Sequence, residues 1–280
     1  MPELHNGTRR YTIPARPEAL IQIEQQIKRE DPDLDAIIST LKRDVSLYST
    51  VLATVNAPFF GLRKKVTSIH HAIMLLGFER LSSIVRITAL KQSLSKHSRL
   101  DRFWDTATEV AGISAYLAGK LTNELPEQAY TVGMMHDCGI PVMMSSFDDY
   151  RDMLRNLNGS DVISVQHFES ERYGTDHFEI GGEIADTWHM PETVGKTIRL
   201  QPFYQDVLKD PQKQCEGAQM LLCVLLLAKD ISTSYRRYWR VEEPVENLSG
   251  LQCVFDFIGI CDLDYMDIKD DYLSWMDDHS

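Results

Sequence analysis

Apolar residues recur three and four positions apart along almost the whole chain, and no stretch alternates apolar with polar long enough to make a convincing strand. That spacing is the period of an α-helix seen from its buried side. Leu34, Ile37, Ile38 and Leu41 carry it first, behind Pro32 and a capping Asp33. Leu47, Val51, Leu52 and Val55 repeat it, and Pro58 stops that helix because proline disfavours helical backbone in the residue before it. Ser68 then caps a stripe of Ile69, Ala72, Ile73 and Leu76, which Gly77 closes. Leu81, Ile84, Val85 and Thr88 continue on a further helix. The expected fold class is all-α.

A polar segment at 94–101 (LSKHSRLD) marks a boundary. Beyond it the sequence predicts longer helices over 101–121, 126–137, 147–156, 161–173 and 177–188, one opened by Pro191, and an apolar helix over 215–234. The reading is two packed helical lobes, 12–95 and 101–235, followed by an acidic C-terminal extension over 236–280.

Length and charge narrow the class of function. A chain of 280 residues with 43% hydrophobic content can close one large core or two modest ones. The longest apolar run, 218–228 (AQMLLCVLLLA), falls well short of the roughly 20 residues that cross a bilayer. The first residues (MPELHNGTRRYT) have no apolar stretch after their charges, so a cytoplasmic protein with no membrane partner is expected. Five cysteines, an odd number without a C-x-x-C pair, read as reduced thiols. Residues 1–100 hold 15 basic and 9 acidic side chains, whereas 241–280 hold one base, Lys269, and 11 acids. Nucleic acid is an unexpected partner for so acidic a chain, and only the basic first lobe could supply such a contact. The acidic tail is expected to dock on that lobe by opposite charge.

The most pointed chemistry is His136-Asp137, within VGMMHDCGIP at 132–141. An imidazole beside a carboxylate at a helix end can hold one metal ion, or can form a buried hydrogen-bonded pair. The surroundings are informative. WDTATEVA at 104–111, GMMHDCGIP, HFEIGGEIADTWHMP at 177–191 and LLLAKD at 225–230 follow the order and spacing of the HD superfamily of metal-dependent phosphohydrolases. DVSLYSTVLATVNAPFFG at 44–61 and SIHHAIMLLGFERL at 68–81 narrow this, and the chain resembles the HDOD family, the HD-related output domains of bacterial signalling proteins.

That resemblance implies a degenerate HD-type core in the second lobe. Active HD enzymes use a His on an early helix, the His-Asp pair and a later Asp. Here Thr106 stands at the first place, His136 and Asp137 at the pair, and Lys229 where the last carboxylate belongs, with Asp230 one residue on. A threonine hydroxyl is a poor substitute for imidazole. One residue turns a helix by about 100°, so Asp230 should point away from a site that Lys229 faces. His177 alone remains of the further histidines used by related cyclic-dinucleotide phosphodiesterases, whose His-His pair is replaced by Leu200-Gln201. No catalytic residue, metal or cofactor is expected.

The function implied is a non-catalytic signal-transduction output or adaptor module that contacts other signalling proteins and can form homo-oligomers. With no sensor, kinase or receiver segment attached, its input is expected from another chain. Two alternatives are a phosphohydrolase with a rearranged site of His136, Asp137, His177 and Asp230, and a nucleotide or nucleic-acid binder using the basic lobe. Arg63, Lys64 and Lys65, and Arg236, Arg237, Tyr238 and Trp239, form two candidate interaction surfaces, though the plainer reading is a solvated turn for the first and a helix end for the second. His70 and His71 read as surface histidines.

Overall fold

The computed structural model describes residues 10–57, 65–95, 100–122, 126–157, 160–209, 216–239 and 248–279, and among them there is no strand. The first group of helices is α1 (Glu18–Ile27), α2 (Leu34–Arg43), α3 (Val45–Val55) and α4 (Ile69–Leu94). Asp33 and Ser68 cap α2 and α4 as their sequence positions predict, accepting from the backbone of Ala36 and His71. Gly77 breaks α4 into two segments with φ +76°, a conformation that costs a glycine little. Asn56 ties the end of α3 to Val66: its side chain donates to Leu52 O and Val66 O and accepts from Val66 N, at 2.7–2.8 Å. Buried Glu24 of α1 takes Arg16 at 2.7 Å and Arg86 of α4 at 2.8 Å, tying the group together.

The second group comprises α5 (Asp101–Leu121), α6 (Pro126–Met135), α7 (Gly139–Ser146), α8 (Tyr150–Asn156), α9 (Val162–Tyr173), α10 (His177–Thr187), α11 (Glu192–Leu200), α12 (Tyr204–Lys209), α13 (Glu216–Ile231) and α14 (Thr233–Trp239). One continuous apolar core runs through both groups. The indole of Trp188 also crosses between them, donating to Pro14 O at 2.9 Å. The apolar run is the inside of α13, where Leu221, Leu222, Cys223, Val224, Leu225, Leu227 and Ala228 are buried. No single helix among the described residues is long and apolar enough to cross a membrane. Four of the five cysteines are free, and Cys215 lies outside the described residues.

The chain ends in α15 (Gln252–Ile258) and α16 (Asp262–His279). Their placement corrects the expected docking on the basic first lobe. Val254, Phe255 and Tyr265 are fully buried, α15 packs on α12 and α13, and Tyr272 and Trp275 of α16 each sit 5.3 Å from the ring of Tyr116 on α5. Apolar burial is short-ranged and strong, whereas exposed charge attraction is weak and screened by salt, so the aromatic residues decide where the tail goes.

Candidate functional site

His136, Asp137 and Cys138 form the turn between α6 and α7. His177 is the first residue of α10, whose cap, Asp176, accepts from Glu179 N at 2.8 Å. The two helices meet closely because residue 139 is glycine: a Cβ there would lie 2.0 Å from His177 O. His136 uses Nδ1 on Gly133 O at 2.6 Å. His177 uses Nδ1 on Glu169 Oε2 at 2.7 Å, and its own N–H donates to the same oxygen at 2.9 Å. The other Glu169 oxygen accepts from Tyr150 at 2.5 Å. Both imidazoles therefore turn Nε2 towards Asp137, at 3.3 Å for His136 and 3.8 Å for His177, neither in hydrogen-bond geometry.

Lys229 closes the cluster. Its Nζ lies 3.7 Å from Asp137 Oδ1, 2.5 Å from Gln201 Oε1 and 5.0 Å from the centre of the Tyr235 ring. Gln201 in turn donates to His136 O at 2.8 Å, so the residue in the place of a second histidine links backbone and ammonium. Trp239 donates to Asp137 Oδ2 at 3.2 Å. His136, Asp137, His177 and Lys229 are all buried. Burial works against the Asp137 anion, yet His136, Lys229 and His177 hold its carboxyl well below the usual carboxylate range. Burial also pulls Lys229 below the ordinary lysine value, with Asp137 opposing. For His177 burial again favours the neutral ring, but Glu169 and Asp137 outweigh it and raise its pKa.

Of the residues singled out from sequence, the structure brings together His136, Asp137, His177 and Lys229. Thr106 is buried on α5, but its hydroxyl is spent on Arg102 O at 2.8 Å. Asp230 faces away from the cluster and pairs with Tyr265 and, at 4.0 Å, with Lys269. The set His136, Asp137, His177 and Asp230 does not converge. Where an HD metal would sit, the donors present do not fit one: an ammonium faces the carboxylate, and no group of three His, Cys, Asp or Glu among the described residues could hold an ion.

The cluster is covered by α14. The helix predicted over 215–234 ends at Ile231, and the chain bends by 79° into α14. Ser232 Oγ accepts from Tyr235 N at 3.0 Å, and Glu109 of α5 accepts from Thr233 N at 3.0 Å, so both restart the helix in the new direction. Tyr235 and Trp239 point inward over Lys229 and Asp137. Burial of Trp239 removes it from the interaction surface expected there, because its indole is a lid over a charge. Arg237 is exposed, Arg236 and Tyr238 are half-buried, Lys65, His70 and His71 are exposed, and Arg63 and Lys64 lie outside the described residues.

Glu169, Tyr150 and Gln201 are site residues that sequence reasoning does not assign. The model of the HDOD domain matches residues 13–202. The chain belongs to the HDOD family. An uncharacterized protein of Treponema pallidum is 27% identical over 191 residues, covering 67% of this HDOD chain and 37% of its own length. The Bacillus subtilis protein YuxH is 27% identical over 114 residues, covering 40% of this chain and 28% of its own. The chain spans about a third of the length of these curated relatives. Among solved structures, a protein of Shewanella amazonensis provisionally named a phosphohydrolase is 25% identical at a TM-score of 0.67, over 93% of this chain and 90% of that one. An HDOD domain protein of unknown function from Geobacter sulfurreducens is 20% identical at 0.66, over 96% and 91%. A Marinobacter aquaeolei protein provisionally named for signal transduction is 21% identical at 0.66, over 95% and 58%. The all-α, HD-like HDOD fold is thus shared with these proteins.

Proposed function

We propose that this HDOD chain is a non-catalytic output module of bacterial signal transduction that acts through contacts with other proteins. The observation that carries the reading is the Lys229 ammonium 3.7 Å from Asp137, inside the position of an HD metal. A hydrolytic HD mechanism needs a cation there to activate water, and an ammonium cannot lower the pKa of a bound water as a Lewis acid does. The lid of Tyr235 and Trp239 supports the same reading, because it denies a phosphoester access to His136 and Asp137. Membership of a family of output domains, and the Marinobacter protein's name, favour signalling as the context.

The test has two parts. Purified protein supplied with Mn2+, Fe2+ or Zn2+ should retain far less than one equivalent of metal and should not hydrolyse bis(p-nitrophenyl) phosphate above background. Crosslinking in the native cytosol should capture a defined protein partner. Near-stoichiometric metal that disappears in His136→Ala, together with metal-dependent turnover, would overturn the reading.

A further inference from the structure

A second feature lies outside the lid. The faces of α14 divide: Tyr235 and Trp239 look inward, whereas Arg237 and Tyr238 line an open cavity of about 630 Å3. Arg102 from the first turn of α5 and Arg151 and Arg155, one turn apart on α8, complete its charged wall. Four guanidiniums meet there against a single carboxylate, Asp105, in a chain whose net charge is −12. Arg155 pairs with Asp152 at 3.0 Å, but Arg102, Arg151 and Arg237 make no ion pair among the described residues. The concentration of positive charge is therefore local, and Asp105 and Asp152 offset only part of it.

We propose that this cavity binds a small phosphorylated ligand. Guanidinium forks match phosphoryl oxygens in pairs, and arginines approaching from three helices can engage more than one phosphoryl group. The volume lies within the range of about 300–1,000 Å3 typical of small-molecule pockets. Met144 and Leu154 add an apolar wall, and Tyr238 a half-buried ring against which the rest of such a molecule can rest. A long polyanion fits less well, because exposed Asp148 stands beside the arginines of α8 and works against it. The inference goes beyond the output-module reading and does not rest on it.

Calorimetric titration of the full chain at low salt with inorganic pyrophosphate, and separately with ADP, tests this. Saturable binding is expected for at least one, weakened about tenfold or more by Arg151→Ala and by Arg237→Ala, the loss of one charge-assisted contact each. Both side chains are exposed, so the variants should keep the wild-type helical circular dichroism. Lys42→Ala, an equal loss of charge on distant α2, should bind as wild type. No saturable heat with either probe, or an equal loss in Lys42→Ala, would overturn the site. A single-stranded oligonucleotide that binds more tightly than both, with affinity falling steeply with salt, would overturn the small ligand in favour of nucleic acid.

Discussion

The backbone of Gly139 rests on the carbonyl of His177 so closely that a Cβ would stand 2.0 Å from that oxygen. The contact sets α7 against the start of α10 and so aims both imidazoles at one carboxylate. Gly139→Ala must push the two helices apart, since backbone rather than a flexible side chain is in the way. We expect a loss of about 3 kcal/mol or more in urea unfolding, at the upper end of overpacking costs. A variant as stable as wild type would show that the two helices can separate freely.

Lys229 and Asp137 should be energetically coupled. Lys229→Met strands a buried carboxylate and should cost about 3–5 kcal/mol, as should Asp137→Leu, which strands the ammonium. Replacing both together should cost clearly less than the two losses added, a difference read from a double-mutant cycle. Simple additivity would mean that the 3.7 Å approach carries no interaction.

His177 should make stability pH-dependent. Its pKa is raised in the folded state despite burial, chiefly because Glu169 attracts and hydrogen-bonds the protonated ring. A raised value means that the native state holds the proton more tightly than the unfolded chain does. The stabilisation is complete below about pH 6.5 and is lost as pH rises through the folded value. Glu169→Gln should flatten that decline in denaturant midpoints measured against pH. An identical slope in both proteins would remove Glu169 as its cause.

The C-terminal helices should behave as part of the core. Phe255→Ala should cost about 3–5 kcal/mol, as large buried aromatics do, and removing 248–280 should lower the melting temperature substantially. Neither effect should shrink as salt is raised. Truncation that leaves melting unchanged at low salt would point instead to a loosely held tail.

Much of the helical layout is legible in sequence because caps and periodicity are local. Asp33, Ser68 and Pro191 act where they stand, and 101–121 is helical over its full predicted length. The break after Ile231 is not legible, since the restart at Thr233 depends on Glu109, 124 residues before it. Helix α7 is equally hidden, because GIPVMM at 139–144 is apolar throughout and shows no stripe. Within the site, the turn of Lys229 inward and Asp230 outward follows from helical geometry once the family resemblance places the site at 229. Glu169 is invisible by contrast: its helix is polar, and only the fold shows that this one carboxylate is buried beneath His177.

Neighbours on α13, Lys229 and Asp230 are each committed to a different part of the molecule, one to Asp137 and the other to Tyr265 of the last helix. A shift of α13 by a single residue would set a carboxylate against Asp137, and it would also unfasten the tail. The two commitments act as a ratchet on the register of α13: the helix cannot slip by one residue without unpairing both Asp137 and Tyr265.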